Sequence, residues 1–542
     1  MLKLSKFARV IFSLLVLASM LLSACQQAAT SAPKAEPTKA PEATKAPEPT
    51  KAAEPTKAPE PTKEEPKPTE PPAEEAPVEI VYYFPGGAQK DTQMVQDAMN
   101  EILKTKINAT IKLVQLDWGA YNDKMNLMFS SGEACDIVFT APWINNYFQL
   151  VNNESLLALD ELLPKYAPQL WADIKPEFWN AVRVSGKVYA VPNQQIWVKP
   201  WGFAARKDMA EKYNFDWQAV TKWDELDPFL EQIKQGEPDV IPWSGRPGFR
   251  HEIYGWDPLD DGIGASDISI LGVNALNTDY KVFNVLETPE FKGFVDTMYR
   301  WYQAGYLPKE ADPDATASWK AGKYVLWSHL IDPRTWEWEK RNKGYEFIGK
   351  PLTDPVIMTT ASVIATLNGV CSSSKNPEKA VQYLNLINTD PELYNLMNYG
   401  IEGKHWVWLD EAKQLIGLPE GVASWPETGY YPDTLWMYGS NFLAYYTSAP
   451  DAENKLWDQI KDLNNSSTAS AAMGFTFDRS SVQTEIANVN AAATEFCLPL
   501  IDGTISSDEG LQACIDKVKE AGVDKIIAAM QTQLDAFKAT KK

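Results

Sequence analysis

From Val78 onward the chain alternates between short, almost wholly apolar runs and longer stretches whose apolar residues fall three or four positions apart. Val78–Phe84 reads as a strand stopped by Pro85-Gly86-Gly87, whereas Met94, Val95, Ala98, Met99, Ile102 and Leu103 share one helical face. Thr110–Leu116 then reads as a strand, Tyr121–Phe129 as a helix and Asp136–Phe139 as a buried strand. That alternation predicts a parallel α/β sheet. Ligands of such sheets sit beyond the carboxyl ends of the strands, which here carry Phe84, Asp117-Trp118 and Trp143. Further on, Asn376-Pro377 and Asp390-Pro391 each place a capping residue before a proline at a helix start, and Gly400 supplies a stop. Two amphipathic stretches from about Asp508 close the chain.

The pattern fails upstream of Val78. Residues 26–77 repeat variants of Pro-Glu-Pro-Thr-Lys-Ala, as in Ala46–Lys51 and Ala58–Lys63, with no aromatic side chain to bury. Proline at that density favours polyproline II, and roughly fifty residues at about 3.1 Å each reach on the order of 150 Å. It is a stalk. Ahead of it stand Lys3, Lys6 and Arg9, an apolar run from Val10 to about Leu22, and Leu22-Ser23-Ala24-Cys25. The run is short for a membrane span and has the three parts of an export signal. The last four residues resemble the lipobox of bacterial lipoproteins, which implies cleavage after Ala24 and a lipid on Cys25. The alternatives are an ordinary secretory signal or a single anchor helix.

Composition narrows the partners. The 542 residues are 44% apolar, enough for two or three domains with real cores. A net charge of -21, without clustered Lys and Arg, argues against nucleic acid. Tryptophan is over-represented at 20 residues, joined by 22 Tyr and 20 Phe, so aromatic faces are in demand. Apart from Cys25 the cysteines are Cys135, Cys371, Cys497 and Cys514, which allow three pairings or free thiols. Cys497 with Cys514 is the nearest pair, flanking a glycine-containing turn. With no CxxC and only His251, His329 and His405, neither a metal site nor a cofactor is expected.

Several motifs recur in a telling order: Gly186–Pro192, Arg206-Lys207-Asp208, Ala321–Trp327, Ser373–Ala380, Asn398–His405 and Gly474–Asp478. Together they resemble the extracellular solute-binding lipoproteins of ABC importers, the family that includes maltose-binding proteins, and within it a large sugar-associated subgroup. The resemblance runs from about residue 78 to the C-terminus. It implies an α/β, two-lobed periplasmic-binding-protein fold of type II, its lobes joined by crossing hinge strands. It also implies a monomer tethered through Cys25 to the outer face of the cytoplasmic membrane, an ABC permease as partner, and no catalysis. The expected divisions are a signal peptide at 1–24, a linker at 25–77, lobe I at 78–192, lobe II at 193–362, a return to lobe I at 363–408, and completion of lobe II at 409–542.

A sugar ring needs flat aromatic platforms for its CH faces and planar polar groups for its hydroxyls. Trp143 and Trp327, at strand ends that match the family's site positions, are the first platform candidates. Trp243 and Trp256 in loops follow, although a tryptophan more often fills a core. Gln194 and Gln195 after the crossover, Asp117, Glu402 and His405 supply hydrogen-bonding groups, and Phe84 a further ring. Their plainer roles are hinge bonding, helix capping, turn bracing and strand burial. An exported glycoside hydrolase with two carboxylates is the rival class, and a binding protein for a peptide is another. No Gly-x-Ser-x-Gly, His-Glu-x-x-His or phosphate-loop motif accompanies them. The segment Asp257–Gly262 only faintly resembles a calcium loop, because Leu259 occupies a ligand position.

Overall fold

The computed structural model describes residues 76–541 except 261 and 267. The expected signal peptide, Cys25 and the proline-rich linker therefore lie outside the described residues. In chain order the elements that build the site are strand β1 (Val78–Pro85), helix α1 (Thr92–Ile107), β2 (Ala109–Leu116), α2 (Tyr121–Ser131), β3 (Ile137–Thr140), α3 (Tyr147–Asn152) and β4 (Ala190–Pro192). There follow β5 (Trp201–Arg206), β6 (Ile241–Trp243), β7 (Tyr324–Leu330), α4 (Thr335–Lys343) and β8 (Phe347–Pro351). The chain then returns through β9 (Leu367–Val370), α5 (Pro377–Thr389) and α6 (Pro391–Tyr399).

The first sheet has the order β2-β1-β3-β9-β4. β2 and β3 run parallel to β1, and β9 runs antiparallel to both β3 and β4. The sheet is thus mixed rather than wholly parallel: β9 enters from the other lobe and must run against its neighbours. From Tyr82 to Pro85 every residue of β1 is buried, as expected of a strand covered on both faces. Val95, Met99 and Leu103, four apart on α1, close one of those faces. The Asp390 carboxylate caps α6 by accepting from the Glu392 and Leu393 amides, whereas the Asn376 side chain makes no such bond although α5 begins beside it.

The second sheet has the order β8-β5-β7-β6. Trp201 at the start of β5 pairs with Leu330 at the end of β7, and Gly202 pairs with Pro351 at the end of β8. Those ends share one edge. In the first sheet Pro85, Leu116, Thr140 and Pro192 end their strands at one edge, where Leu367 begins β9. Residues 193–200 and 352–366 join the two edges, so the lobes present their strand ends toward each other. A third crossing near residue 470 is braced by parallel pairing of Ile357-Met358 with Thr468-Ala469.

Two large cores correspond to the two lobes. Residues 409–469 do not complete the second lobe as the motifs suggested. Tyr430, Met437, Tyr438 and Ala444 belong to the first core, and Tyr438 meets Phe84 edge-on at 5.4 Å between ring centroids. Of residues 409–542, only the chain end, from Ala472 and Phe475 through Met530 and Leu534, joins the second core. Cys497 pairs with Cys514 inside that core, and Cys135 with Cys371 ties the flank of β3 to the end of β9. Among the described residues no helix is long and apolar enough to cross a membrane.

Candidate functional site

Three indoles gather at the strand-end edge of the first sheet. Trp118 follows β2, Trp143 follows β3, and Trp436 arrives from the segment that completes the first lobe. Trp118 stacks on Trp143 at 6.3 Å and 23°, and on Trp436 at 6.0 Å and 28°. Phe139 from β3 supports the group edge-on, 6.2 Å from Trp143 and 6.1 Å from Trp436. Large apolar side chains rarely stay in water without a reason when they cluster. Here Trp143 remains 55% and Trp118 38% exposed, while their neighbour Phe139 is fully buried.

Polar groups fix the indoles from behind. The Trp143 Nε1–H donates to the Ala365 carbonyl at 2.7 Å. The Thr366 hydroxyl donates to the Trp436 carbonyl at 3.1 Å and accepts from the Gln195 amide at 2.8 Å. Asn464 in turn holds the Gln195 carbonyl at 2.7 Å and takes the Trp197 amide at 2.9 Å. Thus the crossing residues 365–366 anchor Trp143, Trp436 and Gln195 together. Asp117 is exposed beside Trp118, with Oδ1 accepting from the Gly119 amide at 2.9 Å. Of the candidates named from sequence, Trp143, Gln195 and Asp117 share this edge.

The others do not join them. Trp243 is fully buried in the second core against Trp223 and Trp301, and Trp256 packs there among Phe249, Tyr254 and Phe283. Both indoles have more surface to hide than a loop can leave in water, so they fill the core. Phe84 is buried between Tyr82 and Tyr438. Trp327 is enclosed by Trp319 and Phe347, each at 4.8 Å, with the Lys343 ammonium 4.6 Å over its ring. Gln194 is buried, its amide facing Asn388 at 3.3 Å and its backbone bonded to Gly439 and Asn441. His405 is sealed: Nδ1 accepts from the Ile401 amide at 2.8 Å and Nε2 faces Asp91 Oδ2 at 3.2 Å. Its pKa is lowered, chiefly by burial, so the ring is neutral and braces the turn after Gly400. Glu402 stands exposed on that turn.

Sequence reasoning named Trp118 at a strand end without counting it among the platform candidates, and it passed over Trp436. Trp118 stood beside Asp117 at a strand end, and the same argument applied to it. Trp436 carried no signal, because it comes from irregular chain that periodicity does not place. On the second lobe, Trp201 at the crossover carries the Arg250 guanidinium 4.1 Å from its ring centre. Burial raises the Asp451 pKa, and the charge of Arg341 on α4 pulls it back down.

Two α/β lobes joined by three crossings, with an aromatic and amide-bearing edge between them, define a type II solute-binding fold. The chain belongs to the bacterial extracellular solute-binding protein family, whose model matches residues 97–401. A domain of unknown function, DUF3502, matches residues 471–539, the stretch that completes the second core. A carbohydrate ABC transporter substrate-binding protein of Streptococcus pneumoniae serotype 4 is 28% identical over 451 residues, 82% of this chain and 87% of the relative. The crystal structure of the N-glycan transport solute binding protein of S. pneumoniae superposes with a TM-score of 0.72 at 27% identity, over 86% of this chain and 100% of that one. Its complex with Man5GlcNAc gives a TM-score of 0.60 at 26% identity, over 86% and 99%. An extracellular solute-binding protein of Bifidobacterium longum subsp. infantis, 15% identical with a TM-score of 0.58 over 85% and 99%, shares the fold.

Proposed function

We propose that the protein captures an oligosaccharide on the Trp118–Trp143–Trp436 platform, holds it between the lobes without turning it over, and hands it to an ABC permease. The observation that carries this is the indole trio, with Trp118 and Trp143 exposed and Trp436 half-buried, at the edge where the crossings meet. Each ring offers a flat apolar face to sugar CH groups, and stacking of that kind is worth about 1–3 kcal/mol per ring on other flat ligands. Gln195 and Asp117 supply acceptors and donors for hydroxyls at the rim. The names of the carbohydrate and N-glycan binding relatives support the ligand class.

Capture is useful to a transporter only if it changes the protein. A ligand with equal affinity for open and closed lobes shifts nothing, so contacts from both lobes must favour closure. Trp201 and α4 are the second-lobe groups best placed to add them. A lipid on Cys25 and the proline-rich linker would keep the trap near the membrane while it samples solution. Calorimetric titration of the purified protein with oligosaccharides, and with peptides as controls, tests the reading. One-to-one binding of a sugar that is recovered intact is expected, whereas release of shortened sugar would make the protein a hydrolase.

A further inference from the structure

Trp143 borders a second space besides the platform. Between α2 and the segment leading through α3, a cavity of about 350 Å³ is lined by Trp143, Asn122, Asn126, Ser130, Gln149 and Asn153, among others. That volume lies toward the lower end of the roughly 300–1,000 Å³ typical of small-molecule sites. Asn122, Asn126 and Ser130 fall four residues apart on α2 and so form one stripe along it.

The chemistry of the lining is uniform. No Asp, Glu, Lys or Arg is among the lining residues, whose polar side chains are all amides and hydroxyls. Some of these amides hold the wall in place. Asn122 Oδ1 accepts from the Asn145 amide at 2.7 Å, Asn145 donates to the Phe139 carbonyl at 3.0 Å, and Asn146 donates to the Pro142 carbonyl at 2.7 Å. Others are open: the exposed side chains of Asn126, Gln149 and Asn153 bond to no group among the described residues. A primary amide offers donors and an acceptor side by side, which suits vicinal hydroxyls and acetamido groups. A carboxylate or phosphate would find no cation here, and the net charge of -21 opposes its approach.

We propose that this groove is a branch subsite: a glycan lying on the indole trio turns a neutral, hydroxyl- or acetamido-bearing branch past Trp143 into it. The proposal rests on the platform reading above and adds that the preferred ligand is branched and uncharged. Trp143 serves both arms, since it belongs to the stacked trio and lines the groove.

The test uses the mature chain on an array of linear neutral, branched neutral, sialylated and uronate-bearing oligosaccharides, followed by calorimetry on the best linear and branched probes. Branched neutral glycans should bind at least tenfold more tightly than their linear arms. The double variant Asn126→Asp with Gln149→Glu should erase that advantage and leave linear affinity within twofold, with an unchanged thermal midpoint as the folding control. Equal binding of linear and branched probes, an advantage that survives the double variant, or acidic glycans bound as well as neutral ones would each overturn the proposal. The platform is read separately: if Trp436→Ala leaves linear affinity unchanged, or no sugar binds the wild-type chain, the parent reading fails and the branch subsite falls with it.

Discussion

The indole of Trp143 donates a 2.7 Å hydrogen bond to the carbonyl of Ala365, 222 residues further along the chain. Trp143 leaves a strand of the first lobe, whereas Ala365 ends the segment returning from the second. The most exposed ring of the platform is therefore fixed by a hinge segment. This bond ties the proposed platform directly to residues 352–366, the segment that joins the two sheets.

Replacing the ring and removing its bond should separate. Trp143→Phe keeps a stacking face but leaves the Ala365 carbonyl without its partner, and should cost about 1 kcal/mol of sugar affinity. Trp436→Ala removes a face outright and should cost about 1–3 kcal/mol. Because the rings touch, the double variant should lose less than the sum of the two. Isothermal titration of the three variants against one oligosaccharide checks this.

A buried tryptophan should behave in the opposite way. Trp243 has no exposed surface, so Trp243→Ala should destabilise folding by about 3–5 kcal/mol through the cavity it leaves. The fraction that stays folded should bind sugar as the wild type does. Urea denaturation reads the first effect and titration the second.

Acid should weaken the fold before the carboxylates titrate. Burial lowers the folded pKa of His405, while the unfolded side chain titrates near its ordinary value of about 6.5. Stability from the neutral ring is thus complete above about pH 6.5 and is lost as pH falls below it, because the unfolded chain takes the proton first. His329 has the same sign, its pKa pushed down to about 4 by burial and by Lys343. Glu339 opposes it: burial raises that carboxyl, so the folded state binds its proton first and gains stability on acidification. The Asp91 carboxylate, held low by Lys404 and His405, begins to lose its contribution only below about pH 3.8. Urea midpoints measured from pH 7.5 to 4.5 should fall, and His405→Gln should flatten the decline.

The second core should depend on its crosslink. Cys497 and Cys514 close a loop with a sequence separation of 17. In the chain-entropy view such a loop is worth about 3 kcal/mol. Cys497→Ala with Cys514→Ala should lower the urea midpoint, and reductant should shift the wild type toward the variant. An unmoved midpoint in both would mean that the core alone sets stability there.

Much of the first lobe was legible in the chain because its signals are local. β1, β2 and β3 are apolar runs with glycine, proline or polar punctuation, and α1 shows its buried stripe at plain helical spacing. The antiparallel course of β9 was not legible, since Leu367–Val370 reads the same in either direction and only the distant crossing sets its sense. The place of residues 409–469 was hidden likewise: Tyr430, Met437 and Tyr438 sit in irregular chain, and nothing local says which core they fill. For the candidate site, the strand-end argument led to the edge where the structure gathers Trp143 and Asp117 with Trp118 and Trp436. Identity as tryptophan did not distinguish Trp143 from Trp243, because platform and core filler differ only in what the rest of the fold covers.

The most direct test of the account is a calorimetric titration of the purified protein with a neutral oligosaccharide, run beside the Trp118→Ala, Trp143→Ala and Trp436→Ala variants, with the sugar recovered and sized afterwards. The account predicts one site in the wild type, an intact sugar, and a loss of about 1–3 kcal/mol in each variant. Sugar binding that survives the loss of all three rings, or a sugar recovered in shortened form, would contradict it.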